Sequence, residues 1–318
     1  MENELVIPDN PDLESWVSYV TVGLNSEKSQ KSYTTAIKDF SAWWVDKGCP
    51  SDFSRRLIEA YKADLLIRTV KKGGRKGEKL TPSTINLYLS CVRRLADKFY
   101  LDGFISDRDH TGIKSVKREN NQGYRAGNWL NLEQCRLWID SIEGDSLAAI
   151  RNRAIVALLL GTALRVSELA GLTVSKIQYR EAQPCIIDFI GKGRKVRSIA
   201  IPKWCFAFLT TWLDRAGISE GAIFRKLNKL QKIRPVGNRA VTSQAIYQIV
   251  IDTSKLAGLT VKPHDCRRTC ALFTRKQGGG SLEEVSNLLG HSELSTTQRY
   301  LSASDSLINT ANTRWQLE

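Results

Sequence analysis

The hydrophobic pattern of this chain leaves its helical period for one short stretch, and that interruption limits the folds open to it. Before Leu172 apolar residues recur at helical spacing: Tyr33, Ile37, Phe40 and Trp44 make one stripe, and Ile85, Leu89, Val92 and Phe99 another. After Leu172 three short runs, 177–179, 185–190 and 196–201, read as strands, and the last alternates with strict period two. Gly191 to Lys195 joins the second run to the third as a hairpin turn. Helical spacing then returns over about 204–215, 243–257, 264–277, 281–289 and 294–301. The pattern predicts a mainly α chain with a small antiparallel β-sheet.

Length adds a division. At 318 residues the chain has room for two ordinary domains. The first hundred residues predict a four-helix bundle. Asn10-Pro11-Asp12 is a helix start, with a capping side chain, a first-turn proline and a carboxylate at the positive end of the helix. The second helix carries the Tyr33 stripe and stops at Gly48-Cys49-Pro50, a third covers about 54–67, and Thr81-Pro82 opens the fourth. Residues 107–130 are polar and lack periodicity, so they read as a linker between an N-terminal domain (1–106) and a second domain (131–318). His110, within that stretch, is given no role.

Charge narrows the partners. The net charge is +14, which points to a polyanion, because each cation near a phosphate releases condensed counterions. Residues 1–130 hold 21 basic and 17 acidic side chains and residues 131–318 hold 26 and 16, so the excess is larger in the second part. In the first part a glycine-rich basic loop presents Lys71, Lys72, Arg75 and Lys76, read as flexible, and the fourth helix adds Arg93 and Arg94; these are DNA-contact candidates, as are Arg194 and Lys195 in the second. No stretch approaches the roughly 20 apolar residues of a membrane span, and no signal-peptide pattern is present. The expectation is a cytoplasmic protein with no membrane partner. The seven cysteines, without a Cys-x-x-Cys pair, read as reduced and mostly buried thiols, and no metal site is expected.

The chemistry-bearing residues fall late in the chain. Arg165 closes an apolar run, with Glu168 three residues on as a natural ion-pair partner. Lys192 lies between two glycines at the hairpin tip. His264 and Arg267, three apart, share a helix face. His291 follows a Leu-Gly helix stop, and Tyr300 comes nine residues later. Taken singly, each has an ordinary structural explanation. Together, two arginines, a lysine, two histidines and a tyrosine are the parts needed to break and reseal a phosphodiester without a metal.

In that order and spacing they resemble the tyrosine recombinases of the phage integrase family, which includes the Cre and Xer recombinases. The resemblance rests on Gly161-Thr162-Ala163-Leu164-Arg165-Val166-Ser167-Glu168-Leu169, on Gly191-Lys192-Gly193, on His264-x-x-Arg267, and on Leu289-Gly290-His291 followed by Tyr300. It covers about 130–302 and extends more weakly to the N-terminal helices, which resemble the family's core-binding domain. Arg268 departs from it, since many members carry a second histidine there.

The resemblance implies an N-terminal four-helix core-binding bundle followed by an α+β catalytic domain. It implies site-specific cleavage and rejoining of double-stranded DNA through a 3′-phosphotyrosyl intermediate, in the integration, excision or resolution of a mobile element. Arg165 and Arg267 would grip the scissile phosphate, Tyr300 attack it, His264 act as base, Lys192 protonate the leaving 5′ oxygen, and His291 hydrogen-bond the phosphate. No cofactor is implied, and the chain contains no Gly-x-x-x-x-Gly-Lys-Ser/Thr loop. Members act as homotetramers on two DNA sites; the segment 302–318, with Leu307, Ile308 and Trp315, is expected to pack on a neighbour or on its own domain. Two other readings are a catalytically silent DNA-binding regulator and a type IB topoisomerase.

Overall fold

A computed structural model describes residues 13–24, 26–49, 52–71, 74–120, 128–190, 196–228, 239–291, 293–298 and 301. Its contacts divide the chain into two units, Met1–Gly123 and Tyr124–Glu318.

The first unit contains α1 (Leu13–Thr21), α2 (Glu27–Asp46), α3 (Arg55–Ile67), α4 (Pro82–Leu101) and α5 (Asp107–Ser115). Side chains start the helices: Ser26 accepts from the Ser29 N–H for α2, and Thr81 from that of Thr84 for α4, where Pro82 takes the first turn. Both expected stripes face inward. Ile37, Phe40 and Trp44 meet Ile85, Leu89, Val92 and Phe99 in a core rich in rings. Trp16 lies edge-on to Phe99 (centroids 5.7 Å apart), and Phe40 edge-on to Tyr61 (4.9 Å). Edge-to-face pairs of this kind contribute about 1 kcal/mol beyond the area they bury. The expected helix start at residues 10–12 lies outside the described residues.

One reading changes here. The supposed linker begins with a helix, α5. Ser106 caps it, Asp107 and Asp109 occupy its first turn, and Ile113 and Val116 are buried in the bundle core. His110 lies 2.8 Å from Asp97 of α4 and stacks on Tyr100, with centroids 4.5 Å apart. Farther on, Asn86 and Glu119 exchange two hydrogen bonds, and Lys62 pairs with Glu119 at 2.6 Å. The segment docks through polar contacts and two apolar residues, too few to make a periodic stripe. The basic loop is closed at its base by an antiparallel bridge between Thr69 and Lys79, with Val70 donating to Glu78 O at 2.8 Å.

The second unit opens with α6 (Leu132–Asp140), α7 (Leu147–Thr162) and the short α8 (Val166–Ala170). Three antiparallel strands follow in the order β1 (Ile177–Arg180), β2 (Gln183–Ile190), β3 (Val196–Ala200). Ile177 pairs with Ile186, Ile186 with Ile199, and Phe189 with Arg197. Then come α9 (Lys203–Ala216), α10 (Ser243–Leu256), α11 (Pro263–Lys276) and α12 (Leu282–Leu289), and residues 294–298 are helical. Residues 154–160 of α7 are buried all round, because α6, α9, α10 and α11 all pack on this one helix. Gly161 makes the packing possible: a Cβ there would lie 2.0 Å from the Cys205 sulfur of α9. A smaller core of Ala163, Cys270, Ala271, Leu272, Val285, Leu289 and Leu301 joins α11 to α12. Among the described residues no helix is long and apolar enough to cross a membrane.

Candidate active site

Four of the six residues expected to carry chemistry lie in described parts of the second unit, and the fold gathers all four. After α7 the chain turns at Ala163, whose φ of 51° is left-handed. The turn makes Arg165 the residue that caps α8. Glu168 holds it there: its carboxylate accepts from the Arg165 backbone N–H at 2.8 Å and from the Arg165 guanidinium at 2.8 Å. The Glu168 side chain is 3% exposed and that of Arg165 is 25% exposed. The ion pair considered from sequence is thus present, and it leaves part of the guanidinium open to solvent.

Arg267 lies one turn inside α11 and is 2% exposed. It donates to the carbonyls of Ala163 and Leu289, joining the end of α7 to the end of α12. His264 sits one turn earlier on the same face and reaches solvent. Its helix starts with Pro263 in the first turn and Asp265 accepting from the Lys262 N–H at 2.8 Å. Beyond α12, Gly290 adopts φ 61°, and the His291 N–H closes the turn on Ser286 O at 3.1 Å. His291 Nδ1 lies 2.8 Å from the hydroxyl of the fully buried Thr297.

These groups lie close enough together to shift one another's titration. Burial, followed by the charges of Arg267, Arg165 and Arg197, pushes the His291 imidazole down to about 4. Burial and Arg267 likewise lower His264, with smaller contributions from Arg268 and Arg165. Both rings are therefore neutral at pH 7. Burial works to raise the Glu168 pKa, but hydrogen bonds from Arg165 and the charge of Arg197 outweigh it and hold the carboxyl below its ordinary value. One carboxylate facing several guanidiniums leaves excess positive potential, the condition for binding a phosphate.

Arg197, which none of the sequence motifs singles out, adjoins this cluster. It donates to Glu168 at 2.8 Å and to Leu288 O at 3.0 Å, and its guanidinium lies 4.9 Å from the centre of the Phe189 ring. Strand parity carried the signal. Arg197 alternates in step with Ile199 and Ile201, which are buried, while Val196, Ser198 and Ala200 face out.

Lys192 and Tyr300 lie outside the described residues, as do Lys72, Arg194, Lys195 and the segment 302–318. Of the remaining DNA-contact candidates, Lys71, Arg75 and Lys76 are exposed. Arg93 and Arg94 turn their guanidiniums onto the carbonyls of Val116 and Val22 within their own unit. Among the described residues no group of three or more His, Cys, Asp or Glu side chains is placed to share a metal ion.

Residues 128–306 match the model of the phage integrase family. The chain belongs to this family. It is 31% identical over 304 residues to the tyrosine recombinase XerC of Lactobacillus delbrueckii subsp. bulgaricus, covering 90% of this chain and 92% of the relative. It is 33% identical over 174 residues to the tyrosine recombinase XerA of Pyrococcus furiosus, covering 54% of this chain and 56% of the other. Its fold is similar to that of the XerH site-specific recombinase in a post-cleavage complex with difH substrate, with TM-score 0.66, 18% identity, and 91% of this chain and 80% of the other covered. A lambda integrase dimer bound to a core site gives TM-score 0.63 at 16% identity, covering 91% and 75%. The protein is a tyrosine-type site-specific DNA recombinase, and of the readings open from sequence the silent regulator and the type IB topoisomerase are set aside.

Proposed function

We propose that this integrase-family enzyme exchanges strands of double-stranded DNA through the pocket formed by Arg165, His264, Arg267 and His291, with Lys192 and Tyr300 completing it. The convergence of those four side chains, from α8, α11 and the turn after α12, is the observation that carries the reading. Arg165 and Arg267 grip the non-bridging oxygens of the scissile phosphate and stabilise the charge that grows in the transition state. The Tyr300 oxygen attacks phosphorus while its proton passes to neutral His264. A tyrosine with an ordinary pKa near 10 needs that help. The P–O5′ bond breaks, Lys192 supplies a proton to the departing oxygen, and a 3′-phosphotyrosyl ester remains. Attack by a 5′-hydroxyl of the partner duplex reverses these steps and reseals the strand. The ester keeps the energy of the broken bond, so neither a metal nor a nucleotide is required. His291, with Nδ1 turned to Thr297, directs Nε2 to the phosphate.

The first unit is read as the core-binding domain, with Lys71, Lys72, Arg75 and Lys76 along the phosphate backbone. Arg194 and Lys195 contact DNA near the site. The enzyme acts in the cytoplasm as a homotetramer on two DNA sites, integrating, excising or resolving a mobile element. A nicked suicide duplex carrying the site tests the chemistry. The wild-type chain is expected to form a covalent adduct, and Tyr300→Phe to form none while binding DNA unchanged. Adduct formation by the phenylalanine variant rules out Tyr300 as nucleophile.

A further inference from the structure

Arg197 lies against the site, and none of the proposed chemical steps uses it. Its side chain is 10% exposed. Its guanidinium has two structural partners from different parts of the unit: the Glu168 carboxylate at 2.8 Å and the Leu288 carbonyl at 3.0 Å, near the end of α12. Glu168 in turn holds Arg165. Leu288 lies three residues before His291, across the left-handed turn at Gly290. That turn is shaped around the guanidinium, since a Cβ on Gly290 would come within 2.3 Å of an Arg197 nitrogen. The Phe189 ring covers the group's face.

We propose that Arg197 is a positioning residue that sets the distance between Arg165 and His291, so that both meet the same phosphate. Its planar fork joins the carboxylate behind Arg165 to the carbonyl behind His291. Only a rigid, two-pronged donor spans both at once, and lysine, a single flexible ammonium, cannot. This inference rests on the proposed roles of Arg165 and His291. Its effect falls on catalysis, because a displacement of about 1 Å at a reacting group costs on the order of a hundredfold in rate.

The test compares wild type with Arg197→Ala and Arg197→Lys, using single-turnover adduct formation, DNA affinity and the imidazole titration of His291 by NMR. Both variants are expected to cleave about a hundredfold more slowly with DNA affinity within about threefold of wild type. The His291 titration is expected to move up in Arg197→Ala, which removes a cation, and to stay near the wild-type value in Arg197→Lys. Thus the lysine variant separates geometry from charge, and it remains a test if the alanine variant fails to fold. A substrate with a 5′-bridging sulfur, whose leaving group needs no proton, is expected to leave the deficit in place. Full cleavage by folded Arg197→Lys, or restoration of its rate by the sulfur substrate, overturns the proposal. Wild type forming no adduct at all defeats instead the reading on which it rests.

Discussion

The two units handle charge in opposite ways. The first surrounds an aromatic core with ion pairs that water still reaches, such as Lys114–Asp97 at 2.6 Å, whose side chains are 46% and 40% exposed. The second puts Glu168 (3% exposed) under Arg165 and Arg197 and buries Arg267 against carbonyl oxygens. Partly exposed pairs cost little and contribute little. Buried guanidiniums carry a desolvation penalty that geometry must offset. That penalty, accepted in one place, supports the proposal that this place is the working site.

The contrast can be broken by substitution. Arg267→Ala should have the largest effect, removing one proposed transition-state donor and the strut between Ala163 and Leu289. Adduct formation is expected to fall by about a hundredfold to a thousandfold, and urea unfolding should show lower stability as well. Glu168→Gln comes next. It leaves two guanidiniums without their carboxylate, and denaturant titration is expected to show a loss of about 3 kcal/mol, with slower cleavage. In the first unit Asp97→Asn removes an exposed charge shared by Lys114 and His110, and the expected loss is below about 1 kcal/mol, with cleavage unchanged. A loss as large as that for Glu168→Gln would erase the distinction between the units.

Acid sharpens the same comparison. His291 titrates at about 4 in the folded chain and near 6.5 when unfolded. Between those values the unfolded chain binds more protons, so stability rises with pH across that window and levels off above it. Unfolding at pH 5 and pH 7 should show this slope, and His291→Gln should make it shallower. His264 is also lowered, so the proposed base stays neutral to a pH below the ordinary histidine value. The acid limb of the cleavage profile should therefore lie below about 6.5, and a limb above it would contradict the assignment of His264.

Much of this was legible in the chain. The three strands lie close to the expected runs, and the caps at Thr81 and Ser281 start helices where expected. Both signals are local. His264, Arg267 and His291, three of the expected site residues, are likewise held by short segments whose caps and stops are written in neighbouring residues. α5 was missed because its helical character rests on Ser106, two first-turn carboxylates and docking onto α4, while only Ile113 and Val116 supply apolar contact. Arg197 was missed because a charged residue on a strand suggests an outward face, although its parity with Ile199 placed it inside. What decided the matter was a partner 29 residues away, Glu168, and no local pattern reports that.

Gly161 opens the nine-residue segment that ends just beyond Glu168, and α9 presses against it. With no room for even a methyl group beside Cys205, the first letter of that segment answers to the helix behind it, and the fifth, Arg165, keeps part of its guanidinium open to solvent. The segment therefore works as a gauge block. The depth at which one helix seats against another sets how far an arginine four residues later projects, so a fault in packing on the far side would be felt as a fault in chemistry on the near side.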